Sequence, residues 1–163
     1  MPLALPETLT PVPSPPRASS PTTRKVMQGN RSVSALEVAL RSELHRRGMR
    51  FRKNAIAIHG LRCRPDVVFP RAHIAVECRG CFWHLCPEDA ALPKSNLDYW
   101  LPKLARNVER DRRNEQALID AGWTLVVVWE HENTSQAADR VEQIVRTARA
   151  TSQLADRSCA GLA

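Results

Sequence analysis

Apolar residues recur at four-residue spacing at Leu36, Leu40 and Leu44, behind the tetrad Ser34-Ala-Leu-Glu37. That tetrad has the capping-box pattern, in which the Ser and Glu side chains satisfy backbone N–H groups left free at a helix start, so it predicts a helix that Gly48 ends. From Phe51 to Ile58 the pattern alternates in part, which reads as a strand before a turn at Gly60. Two short apolar runs follow, Asp66-Val-Val-Phe69 and Ile74-Ala-Val-Glu-Cys78, separated by Pro70 and Arg71 as a tight strand–turn–strand. A loop rich in Pro, Cys and acids runs from Gly80 to about Asn96. A long helix is predicted next, ending at Gly122, with Pro102 tolerable only near its first turn. The unbroken run Trp123 to Trp129 reads as a strand buried on both faces, and a last helix spans about Ser135 to Ala150. The order α-β-β-β-α-β-α predicts an α/β fold, a mixed central sheet flanked by helices.

Outside those elements the composition changes. Seven prolines interleaved with Ser, Thr and Ala crowd residues 1–21. Such a segment cannot bury enough apolar surface to offset its ordering entropy, so residues 1–22 read as a disordered leader. The domain proper spans 23–150, with a flexible tail at 151–163. The chain's 163 residues leave no room for a second sizeable core.

Charge narrows the partners. Twenty-four Lys+Arg against 17 Asp+Glu give a net charge of +7, which favours a polyanion, nucleic acid before an anionic membrane surface. No apolar run reaches the roughly 20 residues that cross a bilayer, and the start lacks the pattern of a signal peptide. Five Cys, an odd number, include Cys63, Cys78, Cys81 and Cys86 within a short stretch. That clustering speaks for a reducing cytoplasm and metal binding over a disulfide framework.

Asp66 and Glu77 are acids inside or bordering apolar strands, where an unpaired charge costs several kcal/mol by rough estimate. The short turn lets the strands pair and bring both carboxylates together, and two like charges held close call for a cation such as Mg²⁺. Arg79, two residues beyond Glu77, shares its strand face. Pro-Asp, ten residues, then Glu-Cys-Arg is similar to the PD-(D/E)xK signature of metal-dependent nucleases, with Arg in place of Lys. A strand-end ion pair between Glu77 and Arg79 is the plainer alternative.

Cys81 and Cys86 are spaced to ligate Zn²⁺ from one loop, with His131 as a candidate third ligand and Asp89, Glu88 or Cys78 open as the fourth. Small buried hydrophobes are the other reading of such thiols. In the long helix the apolar stripe Leu97, Leu101, Leu104, Val108 steps next onto Asp111. A buried acid there wants a buried His, a metal-bound water or a neighbouring Arg.

Glu37, Arg64-Pro-Asp66, Gly80-Cys-Phe-Trp-His84, Asn107-Val-Glu-Arg-Asp-Arg-Arg113 and Val128-Trp-Glu130 occur in that order. On these motifs the chain resembles the very short patch repair (Vsr) endonucleases, which nick DNA beside T:G mismatches. The resemblance covers about Thr23 to Glu132. It implies a restriction-endonuclease-like core and a Mg²⁺-dependent, Zn²⁺-stabilised endonuclease acting on double-stranded DNA at T:G mismatches. It further implies that Asp66 and the backbone carbonyl of Cys78 bind Mg²⁺, that His84 is the general base, and that Asp111 orients His84. Glu37 matches an acid near the metal, and Phe82, Trp83 and Met27 match side chains that wedge between base pairs. A cytoplasmic, nucleoid-associated monomer and mismatch-repair proteins as partners are family expectations as well.

Three positions depart from the family pattern. Arg79 stands where relatives carry His or Asp, Glu77 where an apolar residue is usual, and Asp89 near a zinc-ligating His or Cys. A fixed cation at Arg79 suits a pentavalent phosphate but carries no proton. Rival readings are a homing or restriction-type endonuclease acting on matched DNA, a catalytically impaired DNA-binding relative, and a zinc-stabilised interaction protein.

Overall fold

The computed structural model describes residues 11–16 and 34–160, with side chains from 34 to 153 in the folded part. Met27 lies outside the described residues. The elements are α1 (Ala35–Arg46), β1 (Arg52–Lys53), β2 (Val67–Phe69), a 3-10 turn (Pro70–Ala72), β3 (Ile74–Arg79), α2 (Leu97–Asp120), β4 (Thr124–Trp129) and α3 (Thr134–Ala160). The predicted capping box is formed: Glu37 N–H donates to Ser34 Oγ, and Ser34 N–H donates to Glu37 Oε1.

The four strands form one sheet in the order β1-β2-β3-β4. β1 with β2 and β2 with β3 pair antiparallel, and β3 with β4 pairs parallel, Ile74 opposite Thr124 and Arg79 opposite Trp129. A parallel pair needs a long crossover, which α2 supplies. The fold is the mixed α/β arrangement of the restriction-endonuclease-like core.

Strand alternation divides the core between two faces. On one face Val67, Phe69, Ile74, Val76, Val126 and Val128 meet Leu40 and Leu44 of α1 and Ala138, Val141 and Val145 of α3. Leu40, Leu44, Val141 and Val145 are wholly buried, each contributing about 1.5–3 kcal/mol. On the other face Ala75 and Cys63 pack with Leu118 of α2. Arg47 ties α1 to α3 through Glu43, Asp139 and Glu142.

Four expectations are corrected. Only Arg52–Lys53 of the stretch 51–58 is strand; Ala57 and Ile58 instead turn inward onto the second cluster. β4 is an edge strand whose Val126 and Val128 are buried on one face, while Leu125, Val127 and Trp129 on the other are only half-buried, so it is covered more fully on one face than on the other. Pro102 is the sixth residue of α2, in its second turn, where its missing N–H leaves the Asp98 carbonyl without the usual helical donor. α3 continues ten residues past its expected end.

Candidate active site

The end of β3 lies beside the beginning of β2, because the two run antiparallel. Asp66 therefore stands just ahead of β2 and beside Cys78, whose N–H donates to Asp66 Oδ2 at 2.7 Å. α1 adds Glu37 and Arg41, one helical turn apart. Arg41 Nη2 lies 3.1 Å from Glu37 Oε2 and 3.9 Å from Asp66 Oδ1, and it donates to the Asp66 carbonyl at 2.8 Å. Burial pushes the Asp66 carboxyl up to about 6, with the charges of Glu37 and Glu77 adding to the rise against the Cys78 N–H and Arg41. An acid that resists ionising among other acids is a place where a cation would lower the energy.

Glu77 has other partners. Its Oε2 accepts from Arg79 Nε at 3.1 Å and Nη2 at 2.8 Å, and its Oε1 accepts from the Cys63 thiol at 3.7 Å. Arg79 is 9% exposed and also approaches Glu115 at 3.8 Å. The plainer alternative, a strand-end ion pair, is the contact found between Glu77 and Arg79. Burial pushes the Cys63 thiol up to about 11, with Glu77 next in effect.

The loop after β3 carries the second half of the site. Gly80 is needed for close approach: a Cβ there would stand 3.2 Å from Trp83 Cδ1 and 3.4 Å from Glu130 Oε2. Glu130 Oε2 also accepts the Cys81 N–H. The loop folds back through His84 N–H to the Gly80 carbonyl and Cys86 N–H to the Cys81 carbonyl. His84 Nδ1 thereby comes within 2.5 Å of Asp111 Oδ2 on α2. Arg110 Nη2 lies 3.5 Å from the other Asp111 oxygen, so two of the three partners expected for the buried acid, a His and a neighbouring Arg, are present. Burial alone would raise the Asp111 carboxyl, but the His84 hydrogen bond and the charges of His84, Arg79 and Arg110 outweigh it and hold it below the ordinary carboxylate range.

Cys81 Sγ, Cys86 Sγ and His131 Nδ1 lie within 4.8 Å of one another. The His131 nitrogen is 3.2 Å from the Cys81 sulfur and 3.6 Å from the Cys86 sulfur. Two thiols and an imidazole at these separations suit a soft divalent ion such as Zn²⁺. Among the described residues this cluster has three members. Asp89 is outside it, although its charge bears on Cys81, and Glu88 Oε2 sits 3.5 Å from the far side of the His131 ring.

Phe82 and Trp83 are half-buried and meet Trp100 of α2, with ring centroids 5.3 and 5.7 Å from it. Tyr99 adjoins Trp100 at 5.0 Å, and Lys103 Nζ lies 5.5 Å from the Trp83 ring. The Asn107 side chain holds the Trp83 carbonyl at 3.1 Å. Sequence reading missed Trp100, Lys103 and Arg41, and it quoted Asn107 within a motif without assigning it a role. The helical spacings Glu37 to Arg41 and Trp100 to Lys103 to Asn107 carried the available signal.

An acid at the start of a central strand, a second acid from the preceding helix and a His–Asp pair at the same sheet end define a nuclease of the restriction-endonuclease-like class. A family model described as "DNA mismatch endonuclease Vsr" matches residues 18–87. The chain is 44% identical over 120 residues to the Type II nicking enzyme V.NaeI of Lentzea aerocolonigenes, covering 72% of each chain. It is 44% identical to the Type II nicking enzyme V.XorIIP of Xanthomonas oryzae pv. oryzae, covering 71% of this chain and 85% of that one. The DNA mismatch endonuclease Vsr of Escherichia coli is 36% identical over 60% of this chain and 61% of its own length. This chain belongs to the Vsr family and is a DNA endonuclease.

Proposed function

We propose that the enzyme nicks one strand of duplex DNA at T:G mismatches in a Mg²⁺-dependent reaction, as a cytoplasmic, nucleoid-associated monomer that works beside mismatch-repair proteins. The observation that carries this reading is the juxtaposition of Asp66 and Glu37 with the His84–Asp111 pair, next to the aromatic group Phe82, Trp83 and Trp100.

Asp66, with Glu37 and the Cys78 carbonyl nearby, would hold Mg²⁺, which supplies Lewis acidity toward the phosphodiester when bound. His84 takes the proton of the attacking water on Nε2, because Nδ1 is engaged by Asp111. Asp111, ionised, fixes that tautomer and stabilises the imidazolium that forms. Arg79 balances Glu77 and reinforces the charge of Asp111, and Glu77 serves as its counter-ion instead of a first metal ligand. Cys81, Cys86 and His131, with Asp89 or Glu88 at hand, would hold a structural Zn²⁺ that keeps the His84 loop folded. Phe82 and Trp83, with Trp100, enter the base stack at the mismatch, where unstacking costs least.

The test is cleavage of a strand-labelled T:G duplex beside the matched T:A duplex, in Mg²⁺ and in EDTA. Mg²⁺-dependent nicking of the T:G duplex alone is expected. Equal cutting of both duplexes would move the enzyme to a restriction-type role, and retention of full nicking by Asp66→Ala would overturn the assignment of the metal site.

A further inference from the structure

The segment from Arg50 to Pro65 carries Arg50, Arg52, Lys53, Arg62 and Arg64 and no acid. Arg52, Lys53, Arg62 and Arg64 are all exposed, and none of their side chains forms an ion pair or hydrogen bond with another described residue. Arg41, Arg47, Arg79 and Arg140, by contrast, are each tied to carboxylates. Unpaired cations concentrated on an acid-free stretch keep their full attraction for an external anion.

The segment is anchored at the active site at both ends. Asn54 N–H donates to the Asp66 carbonyl at 3.4 Å, and the Asn54 side chain accepts from Arg41, which itself holds Asp66. Arg64 lies two residues before Asp66. Between these anchors the chain bounds a cleft of about 410 Å³ lined by Ile56, Gly60, Leu61, Arg62 and Arg64. Lys53 pairs with Val67 on the outer edge of the sheet, and β3, leading to the His84 loop, is on the other side of β2. The sheet end thus presents, in order, an edge of cations, the acid Asp66, and the His84 loop with its aromatics. Neighbouring strands are about 5 Å apart, a step small enough for one sugar–phosphate backbone to run across all three.

We propose that Arg52, Lys53, Arg62 and Arg64 form a DNA-backbone site that holds the flank of the nicked strand on the side of Asp66 away from the aromatic group. This rests on the DNA-nicking function, and it adds a contact that carries no sequence or mismatch information. Phosphate contacts fix register, whereas base contacts specify, so the site acts on affinity for any duplex.

The test compares the salt dependence of duplex binding in EDTA for wild type, Arg62→Gln/Arg64→Gln, Arg52→Gln/Lys53→Gln and the charge-matched control Arg46→Gln/Arg146→Gln. T:G and T:A duplexes are used, and thermal melting checks that each variant is folded. Each edge double variant should lower the slope of log K against log salt by roughly 2, at about 0.9 per lost contact, equally on both duplexes. The control should keep the wild-type slope. An unchanged slope in a folded edge variant, or an equal fall in the control, would overturn the proposal. Failure of wild type to prefer T:G duplex, with the edge effect intact, would count against mismatch recognition and leave the backbone site standing.

Discussion

His84 Nδ1 and Asp111 Oδ2 meet at 2.5 Å although 27 residues separate them, and the contact joins the loop after β3 to the middle of α2. A charged acceptor on Nδ1 commits the imidazole to one tautomer with Nε2 free. Asp111→Asn keeps the shape but allows the amide to donate where Asp111 can only accept. We expect single-turnover nicking to fall by about 10²–10⁴-fold with duplex affinity little changed, which rapid-quench kinetics alongside binding isotherms would check.

Asp66 makes the metal-free enzyme less stable at neutral pH. Its carboxyl is raised from 3.8 to about 6 in the fold, so the folded state holds that proton more tightly than the unfolded chain. The stability this group contributes is complete below pH 4, is lost as pH rises through 6, and is absent above. The loss amounts to at most about 3 kcal/mol at 1.36 kcal/mol per pKa unit. Asp66→Asn, still able to accept the Cys78 N–H, should therefore melt higher than wild type in EDTA at pH 7.5 and equal to it near pH 4. Mg²⁺ should raise the melting point of wild type only.

Arg79 and Glu77 stand or fall together. Their side chains are 10% and 15% exposed, so Arg79→Met strands Glu77 as a buried anion against Cys63 and should cost about 3 kcal/mol or more. Glu77→Leu/Arg79→Met removes both charges and should recover most of that loss. Denaturant melts of the two single variants and the double variant measure the coupling directly.

We expect Cys81, Cys86 and His131 to hold one equivalent of Zn²⁺ per chain, and its removal by a chelator to loosen the Gly80–Cys86 loop. Because Trp83 sits in that loop and packs on Trp100, Cys86→Ser should alter tryptophan emission and abolish nicking while the α1–α3 core stays folded. Elemental analysis and fluorescence on the same sample separate this from global unfolding.

Much of this was legible in the residues, where the physics is local. The Ser34–Glu37 box caps α1 because both partners lie within one turn. The step of the α2 stripe onto Asp111 marked a buried acid, and it is 7% exposed. What failed depended on distant chain. Trp123 to Trp129 looked covered on both faces, yet only Val126 and Val128 are fully buried, and Leu125, Val127 and Trp129 on the opposite face are half-buried. Residues 51–58 alternate like a strand, but beyond Lys53 the second core cluster draws Ala57 and Ile58 in more effectively than a sheet edge pairs them. Among the site residues, spacing alone left Glu77 open between a metal and Arg79, because it does not encode the side-chain direction that brings Arg79 to it.

The parallel pairing of β3 with β4 sets the order in which the enzyme is assembled during synthesis. A chain that has emerged only as far as Asp120 already carries Asp66, His84 and Asp111, but β3 still lacks the neighbour that runs along it from Ile74–Thr124 to Arg79–Trp129. Glu130 and His131, which fasten the His84 loop, come directly after that neighbour. The groups proposed to cut are therefore made first and their scaffold last, so an unfinished chain on the ribosome holds Asp66, His84 and Asp111 without the means to align them.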